Sequence, residues 1–319
     1  MANILVTGAA GYIGSVVCKM AKDLGHTVAG VDIESIKHEY VDRYMTGSCG
    51  DDWTDVISEL KIDTVFHLAA YADVADSVLH PDKYFQNNAG ETAKLIDNLI
   101  SMGWEGKFIF SSTAAVYGDG NGGNSAFIEK SQTTPVNPYG ESKLECEVNI
   151  EEACKRTGFR AAIFRYFNVV GADGKLGDHL DSGHVLQKMC KAALSNQEFK
   201  IFGHDLDTRD GTCVRDYVHV LDVARAHFHV SALMDSDPTL EIYNLGTHQG
   251  TSVKELLADF CHYTGNQVSS SNNPSRPGDP PYLVANPSKL VRTGFQYKFS
   301  DMETIIKSSW DSYKSRWNQ

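Results

Sequence analysis

Two side chains near the middle of the chain have the spacing of an acid–base pair. Tyr139 and Lys143 stand four residues apart at the start of a predicted helix, so both project from one helix face. A tyrosine, with an ordinary pKa of about 10, acts as a base near neutral pH only where positive charge stabilises its phenolate. A nearby lysine supplies such charge, and the pair therefore predicts proton transfer.

A hydroxyl side chain lies upstream of this pair. Thr113 ends the fourth predicted strand, Phe108-Ile109-Phe110-Ser111-Ser112-Thr113. Open α/β sheets bind ligands at the C-terminal ends of their strands. Thr113 is therefore expected to hydrogen-bond the substrate hydroxyl that Tyr139 deprotonates, although a simple strand-end cap is the alternative role.

The N-terminal region contains a glycine pattern typical of a dinucleotide site. Thr7-Gly8-Ala9-Ala10-Gly11-Tyr12-Ile13-Gly14 follows a predicted strand and opens a predicted helix, whose N-terminus would face a pyrophosphate. Asp32 ends the next strand, where a carboxylate binds the adenosine ribose hydroxyls. It would repel a 2′-phosphate, and no arginine follows it directly. The pattern predicts NAD rather than NADP.

The elements that position these residues alternate along the first half of the chain. Apolar runs predict strands at 3–7, 27–31, 64–68, 107–111 and 160–165, and amphipathic patterns predict helices at 12–24, 53–60, 83–101 and 139–156. Gly25 and Gly158 stand at helix C-caps, and Pro81 and Pro138 near helix starts. We expect an α/β fold with a doubly wound, Rossmann-like parallel sheet.

The texture changes after about residue 171. Loops at 171–183, 203–211 and 266–281 separate helices predicted at 185–195, 221–234 and 253–263 and a strand predicted at 241–245. We expect residues 1–170 to form the NAD-binding domain. Residues 171–319 are expected to form mainly a smaller α+β substrate-binding lobe, with some segments returning to the main sheet.

Composition restricts the partners. The 319 residues are 42% hydrophobic and carry 29 Lys and Arg against 41 Asp and Glu, a net charge of −12. This charge argues against broad contact with nucleic acid or an anionic membrane, so an anionic ligand needs a local cationic pocket.

Cysteine usage and hydropathy bear on the compartment. The seven scattered cysteines contain no C-x-x-C pair, which argues against a disulfide framework and a zinc site, and no other metal site is expected. No stretch approaches the roughly 18 to 20 apolar residues of a membrane helix. The N-terminus runs into a strand without a signal-peptide pattern. We expect a cytoplasmic protein.

Together, the glycine loop, Thr113 and the Tyr-x-x-x-Lys pair resemble the extended short-chain dehydrogenase/reductase superfamily. Within it, the chain is most similar to the UDP-galactose (UDP-glucose) 4-epimerases. Segment 110–118 lacks the Asp-Glu pair that related 4,6-dehydratases carry after the threonine, and segment 210–222, Asp-Gly-Thr-Cys-Val-Arg-Asp-Tyr-Val-His-Val-Leu-Asp, is close to the epimerases' own.

The resemblance implies specific roles. Arg215 and Arg276 would bind the UDP diphosphate, as would Asn168. Asp279 would bind the uridine ribose, Phe202 and His184 would lie near the uracil, and Leu283 would gate the sugar C2 substituent. The positions implied for NAD are Gly8, Gly11, Tyr12, Ile13, Gly14, Asp32, Leu68, Ala69, Ala70, Asn87, Tyr139, Lys143 and Phe167.

Two residues depart from the pattern of the family near NAD. Ala72 replaces a lysine near the pyrophosphate, and Ser48 replaces an aspartate that binds the adenine amino group, which predicts weaker NAD retention. Leu283 is intermediate between the tyrosine associated with hexoses and the smaller residues that also admit N-acetylhexosamines.

The activity expected is NAD-dependent 4-epimerisation of a UDP-hexose through a transient 4-keto sugar, by a homodimer paired through the helices near 83–101 and 139–156. The alternatives are another nucleotide-sugar enzyme of the superfamily, a dehydratase or decarboxylase, or a non-catalytic NAD-binding sensor.

Overall fold

The computed structural model describes residues 1–35, 39–119, 125–236, 240–276 and 280–317. The chain divides into two compact units. The first comprises Met1–Val116, Pro135–Arg165 and Ala224–Tyr243, and the second comprises Tyr117–Thr134, Tyr166–Val223 and Asn244–Gln319.

Up to residue 166, most strands are separated from the next strand by one or more helices. The strands are β1 (Asn3–Thr7), β2 (Thr27–Asp32), β3 (Arg43–Thr46), β4 (Thr64–His67), β5 (Lys107–Thr113), β6 (Arg160–Tyr166), β7 (Asn168–Val170), β8 (Ala172–Asp173), β9 (Leu176–Gly177), β10 (Phe199–Phe202), β11 (Val214–His219), β12 (Glu241–Leu245), β13 (Gly250–Ser252), β14 (Ser270–Asn273) and β15 (Tyr282–Leu283). The helices are α1 (Tyr12–Asp23), α2 (Thr54–Glu59), α3 (Val74–Leu79), α4 (Pro81–Tyr84), α5 (Glu91–Ser101), α6 (Pro138–Thr157), α7 (Val185–Ser195), α8 (Val220–Leu233), α9 (Val253–Thr264), α10 (Ser288–Arg292) and α11 (Met302–Trp317).

The large sheet has seven strands in the order β12-β6-β5-β4-β1-β2-β3. Strand β1 pairs in parallel with β2 and β4, β2 with β3, and β4 with β5. The strands are apolar because both sheet faces are covered, and Leu5, Val65, Phe108 and Ile163 are fully buried in one core cluster. The order from β6 to β3 is that of the Rossmann fold, so the expected fold class is confirmed.

The second unit contains small sheets and its own core. Strand β11 pairs antiparallel with β13 and in parallel with β15 and β7, and β10 pairs in parallel with β14. Apolar residues from α7, α9 and α11 fill this core, among them Leu186, Met189, Leu256, Phe260 and Ile305. Its pairings fix the register of two predicted substrate residues, because Arg215 lies opposite Leu283.

The helix predicted over 83–101 is wrong as a single element. The structure has α4, then a π-helical turn over Phe85–Gly90, then α5. Apolar periodicity does not reveal a single wider turn inside a helical stretch. The edge strand β3 and the short helix α3 were also not predicted, because neither has a continuous buried pattern.

Helix α6 begins and ends as its sequence predicts. Pro138 occupies its first turn, the Asn137 side chain accepts a hydrogen bond from the Gly140 amide at 2.8 Å, and Gly158 ends it with φ +74°. These caps fix the frame in which Tyr139 and Lys143 are presented.

Within the described ranges, no helix is long and apolar enough to cross a membrane. The same part of the chain has no cluster of three His, Cys, Asp or Glu side chains able to hold a metal ion.

Candidate active site

The glycine loop between β1 and α1 is tightly closed. Gly8 has φ +72°, a left-handed conformation that favours glycine, and a Cβ there would lie 2.8 Å from the Ala69 nitrogen. A Cβ on Gly14 would lie 1.9 Å from the Gly8 oxygen, so helix α1 approaches the loop more closely than any side chain permits. Gly11 is the N-cap of α1 and has no side chain between the helix N-terminus and a phosphate. This cradle fits a dinucleotide pyrophosphate.

Asp32 joins the same loop. It ends β2, and its carboxylate accepts hydrogen bonds from the Ala10 amide at 2.9 Å and from the Glu34 amide at 3.1 Å. The carboxylate is therefore fixed beside the glycine loop, where a ribose-binding residue is required.

The segment after β4 packs against this loop through a buried hydroxyl. The Leu68 and Ala69 amides both donate to Thr7 Oγ1 at 3.2 Å. Because the Thr7 hydroxyl accepts from both amides, its own proton is free to be donated to His67 Nδ1, 2.6 Å away. With Nδ1 as the acceptor, His67 Nε2 carries the ring proton and donates it to Thr92 Oγ1 at 2.7 Å. Burial lowers the pKa of His67 to about 3, so its ring is neutral. The sequence reasoning missed His67, whose only signal was a polar residue in an apolar strand.

Tyr139 and Thr113 lie together in the first unit. Thr113 is buried at the end of β5, and its side chain hydrogen-bonds the phenol of half-buried Tyr139 in the first turn of α6. Burial raises the pKa of Tyr139, and the hydrogen bond from Thr113 opposes that rise. The edge of the Tyr84 ring faces the phenol, with ring centroids 6.4 Å apart. The phenol needs additional positive charge to act as a base near neutral pH.

Lys143 lies one helical turn further along α6 and is buried. Its ammonium donates to the Ser111 carbonyl at 2.7 Å and lies 4.6 Å from the centroid of the Phe110 ring. Burial lowers its pKa to about 8. It is therefore mainly charged at neutral pH and supplies positive charge to this end of the sheet.

The π-helical turn supports the start of α6. Asn87, a predicted NAD residue, lies in this turn beside Asn88, which is buried. The Asn88 amide group bonds both backbone groups of Tyr71, at 2.9 and 3.0 Å, and donates to Ser142 Oγ at 3.1 Å. Ser142 in turn donates to the Tyr139 carbonyl at 2.9 Å. Asn88 was not predicted, because only the wider turn aims it at α6.

Ser48 does not have a free side chain. It follows β3, and its hydroxyl is hydrogen-bonded to the Glu91 carboxylate and accepts from the Gly50 amide at 3.3 Å. Ala72, the second departure from the family pattern, follows Tyr71 and carries no polar side chain.

The turn that follows Thr113 bears on the reaction class. A 3₁₀ turn over Ala114–Tyr117 contains only alanine, valine and tyrosine, with Ala114 and Val116 buried. It therefore offers no carboxyl group beside Thr113 for proton transfers at neighbouring carbons.

Apart from Thr113, the predicted substrate residues belong to the second unit, where Arg215 and Leu283 face each other on β11 and β15. The Arg215 guanidinium donates to the Pro280 carbonyl at 2.7 Å, and the Arg276 guanidinium lies over the Phe202 ring, 3.8 Å from its centroid. Asp279 lies outside the described residues.

Three further predicted residues, Phe167 for NAD and Asn168 and His184 for the substrate, lie in this unit. Phe167 is buried, its amide donates to the Leu245 carbonyl at 3.1 Å, and Asn168 begins β7. His184 is the N-cap residue of α7, with Nδ1 2.6 Å from the Asp178 carboxylate. Burial raises the pKa of Asp178, but the hydrogen bond and charge of His184, together with hydrogen bonds from Ser182 and the His179 amide, bring it below its ordinary value.

The doubly wound sheet, the glycine cradle with Asp32 and the Thr113–Tyr139–Lys143 group together define a nucleotide-binding enzyme of the extended short-chain dehydrogenase/reductase class. Residues 4–246 match the NAD dependent epimerase/dehydratase family, and the chain belongs to this family. The family-level resemblance is thereby confirmed.

Full-length relatives agree with this assignment. The chain is 37% identical to a UDP-glucose 4-epimerase of Rhizobium meliloti over 99% of this chain and 98% of the relative. It is 35% identical to the UDP-glucose 4-epimerase of Halalkalibacterium halodurans, over 98% of this chain and 95% of the relative. The crystal structure of the UDP-glucose 4-epimerase from Stenotrophomonas maltophila, with bound NAD and formylated UDP-arabinopyranose, has a TM-score of 0.92 and 32% identity, over 100% of this chain and 99% of that chain.

Proposed function

We propose that the protein is an NAD-dependent 4-epimerase of a UDP-hexose, interconverting UDP-glucose and UDP-galactose. The observation that carries this proposal is the hydrogen-bonded pair of Thr113 and Tyr139, with buried Lys143 one helical turn further along α6. The turn that follows Thr113 contains no carboxyl group. This set can move a proton at one sugar hydroxyl and has no group for elimination at neighbouring carbons. The epimerase relatives support the same reaction.

NAD, held by the glycine cradle and Asp32, would supply reversible hydride transfer at the sugar C4, with removal from one face of the sugar and return to the other. Tyr139, as phenolate, takes the proton of the 4-hydroxyl while the C4–H bond breaks, which leaves a 4-keto sugar. Thr113 hydrogen-bonds the reacting oxygen and the phenol. Lys143, one helical turn further along α6, is assigned the positive charge that stabilises the phenolate. Once the 4-keto sugar has rotated and presents its other face, Tyr139 returns the proton to the 4-oxygen.

The residues proposed to hold NAD belong mainly to the first unit. The glycine cradle and the N-terminus of α1 are assigned to the pyrophosphate, and Asp32 to the adenosine ribose. The other positions assigned to NAD are Tyr12, Ile13, Leu68, Ala69, Ala70, Asn87, Tyr139, Lys143 and Phe167. The engaged Ser48 hydroxyl and the apolar Ala72 support weaker retention of NAD than in relatives that carry an aspartate and a lysine there.

The residues proposed to hold the UDP-sugar follow the resemblance. Arg215 and Arg276 are assigned to the diphosphate, because a planar guanidinium can bind phosphate through two parallel hydrogen bonds. Asn168 is also assigned to the diphosphate, Asp279 to the ribose, Phe202 and His184 to the uracil, and Leu283 to the sugar C2 substituent. We propose residues 1–170 as the NAD domain and 171–319 as mainly the UDP-sugar lobe.

The proposed activity is tested by incubating the purified protein separately with UDP-galactose and UDP-GlcNAc and identifying products by NMR. UDP-glucose from UDP-galactose is the expected result, and UDP-GalNAc from UDP-GlcNAc would extend the substrate range. A stable 4-keto product or released CO₂ would instead indicate a dehydratase or decarboxylase. Binding of NAD and UDP without any conversion would indicate a sensor.

We propose a homodimer, supported by exposed apolar side chains on α6, one of the two helices predicted to pair, and on α3, which contacts α6 and lies outside the predicted pair. Val78 and Leu79 of α3 are 61% and 74% exposed, and Val148 of α6 is 45% exposed. Light scattering of Leu79→Glu and Val148→Glu variants tests this, with monomers expected and an unchanged mass contradicting it.

All seven cysteines are free thiols, which supports a reducing, cytoplasmic location.

A further inference from the structure

A third residue shares the face of α6 that carries Tyr139 and Lys143. Glu147 lies four residues beyond Lys143, so the three side chains follow one another at successive helical turns. Glu147 is 5% exposed, which is rare for a carboxylate and requires compensating partners.

The three α6 residues each contact one of three consecutive residues at the end of β5. Lys143 donates to the carbonyl of Ser111, Glu147 accepts from the hydroxyl of Ser112 at 2.5 Å, and Tyr139 is hydrogen-bonded to Thr113. The helix is thus attached to the strand at three successive points.

The point at Glu147 is anchored from β6. Arg165, 4% exposed, donates to the Glu147 carboxylate through Nε at 3.0 and 3.2 Å and through a terminal nitrogen at 2.6 Å. One carboxylate therefore joins the guanidinium of β6 to the hydroxyl of β5. Removing one partner of such a buried pair leaves the other charge uncompensated.

Glu147 also acts on Lys143 electrostatically. Burial lowers the pKa of Lys143, and Coulombic interactions with Cys146, Cys49 and Glu147 oppose that effect. Burial raises the pKa of Cys146 to about 11 and that of Cys49 to about 12, so both thiols are neutral where Lys143 titrates, and the carboxylate of Glu147 is the opposing charge. Loss of the Glu147 charge therefore lowers the pH at which Lys143 loses its proton.

We propose that Glu147 is a positioning residue for the reaction: it holds Ser112, and through the backbone of β5 it fixes the Thr113 hydroxyl against the Tyr139 phenol. The inference rests on the proposed function, since the reaction assigned to Tyr139 gives the positioning its purpose. Glu147 is assigned no contact with the sugar or NAD and acts only through Ser112 and Lys143.

Two variants test the positioning role. Ser112→Ala keeps the Glu147–Arg165 pair and deletes only the link to the strand, so kcat is expected to fall about three- to ten-fold, as for loss of one buried hydrogen bond, with KM within about twofold. Ser309→Ala is the matched control, because it too deletes one buried serine hydroxyl. That hydroxyl accepts a hydrogen bond from the Gly171 amide in the second unit, and wild-type kinetics are expected. A wild-type kcat for Ser112→Ala overturns the proposal.

Glu147→Gln adds a readout that a purely structural role does not move. The alkaline limb of its kcat–pH profile is expected at lower pH than in the wild type, because Lys143 loses a neighbouring negative charge. Glu145→Gln makes the same charge change at an exposed site of α6 and should leave the profile in place. An identical profile in Glu147→Gln and Glu145→Gln contradicts the inference.

A phenolate titration by ultraviolet absorbance separates this inference from the proposed function. The difference between each protein and its Tyr139→Phe derivative reports the pKa of Tyr139 without any turnover. Ser112→Ala is expected to raise that pKa, because the hydrogen bond from Thr113 is loosened; no change contradicts the positioning role. A wild type that converts no UDP-sugar refutes the proposed function alone.

Discussion

The Asp32 carboxylate accepts a hydrogen bond from the Ala10 amide at 2.9 Å, which ties the end of β2 to the glycine loop. Asp32→Asn keeps an oxygen acceptor for Ala10 but removes the charge. Its affinity for NAD is expected to fall about tenfold, because a hydrogen bond to a charged group is lost at the ribose, while its affinity for NADP rises. Calorimetric titration with both dinucleotides measures the ratio of the affinities for NAD and NADP. Glu34→Gln, an exposed neighbour, is the control, and an unchanged ratio in Asp32→Asn contradicts the assignment.

Tyr139→Phe removes the proposed base and leaves the ring packed against Tyr84. We expect kcat to fall at least about 10²-fold, within the range of general acid–base contributions, while UDP still binds. Steady-state kinetics and UDP titration measure the two properties separately. Turnover near that of the wild type would remove Tyr139 from the mechanism.

Thr113→Val deletes the hydroxyl that lowers the pKa of Tyr139. Activity depends on the phenolate, so the acidic limb of the kcat–pH profile is expected to move to higher pH, with kcat at neutral pH about tenfold lower. Thr113→Ser retains the hydroxyl and should recover most of the activity. If serine and valine behave alike, the hydroxyl is not the active part of Thr113.

His67→Gln tests the buried hydroxyl–imidazole chain through stability. The pKa of His67 is about 3 in the folded chain and about 6.5 when unfolded, so its contribution is fully present above pH 6.5 and is lost as pH falls toward 3. In that window the wild type should lose about 1.4 kcal/mol more per pH unit than His67→Gln, whose amide can replace both hydrogen bonds. Urea unfolding at pH 7 and pH 4.5 measures the two slopes. Equal slopes would show that His67 is not buried neutral.

Sequence alone predicted the parts of the structure that depend on local rules. Strand β1 and helix α7 have the predicted bounds, and Pro138 and Gly158 frame α6 as expected. The cradle geometry at Gly8 and Gly14 agrees with the reasons given for glycine at both positions. The four-residue spacing also predicted that Tyr139 and Lys143 lie at successive turns of one helix.

What the sequence did not reveal depends on tertiary pairing. Asn88 acquires its role only because the chain forms a π-helical turn, and Ser112 and Glu147 meet only when α6 lies on β5. Glu147 repeats the four-residue spacing of Tyr139 and Lys143, so the sequence does place it on the same helix face. A glutamate in a helix is, however, ordinarily exposed to solvent. Its partner Arg165 comes from a strand 18 residues further on. Periodicity does not specify such contacts.

In the proposed reaction, one hydride leaves C4 and returns to C4. UDP-galactose deuterated at C4 is converted in ordinary water, and the product is examined by NMR. UDP-glucose that retains the deuterium at C4 is the expected product. Loss of the deuterium to water, with a proton in its place, would show that C4 is deprotonated rather than oxidised and would contradict the mechanism assigned to Tyr139.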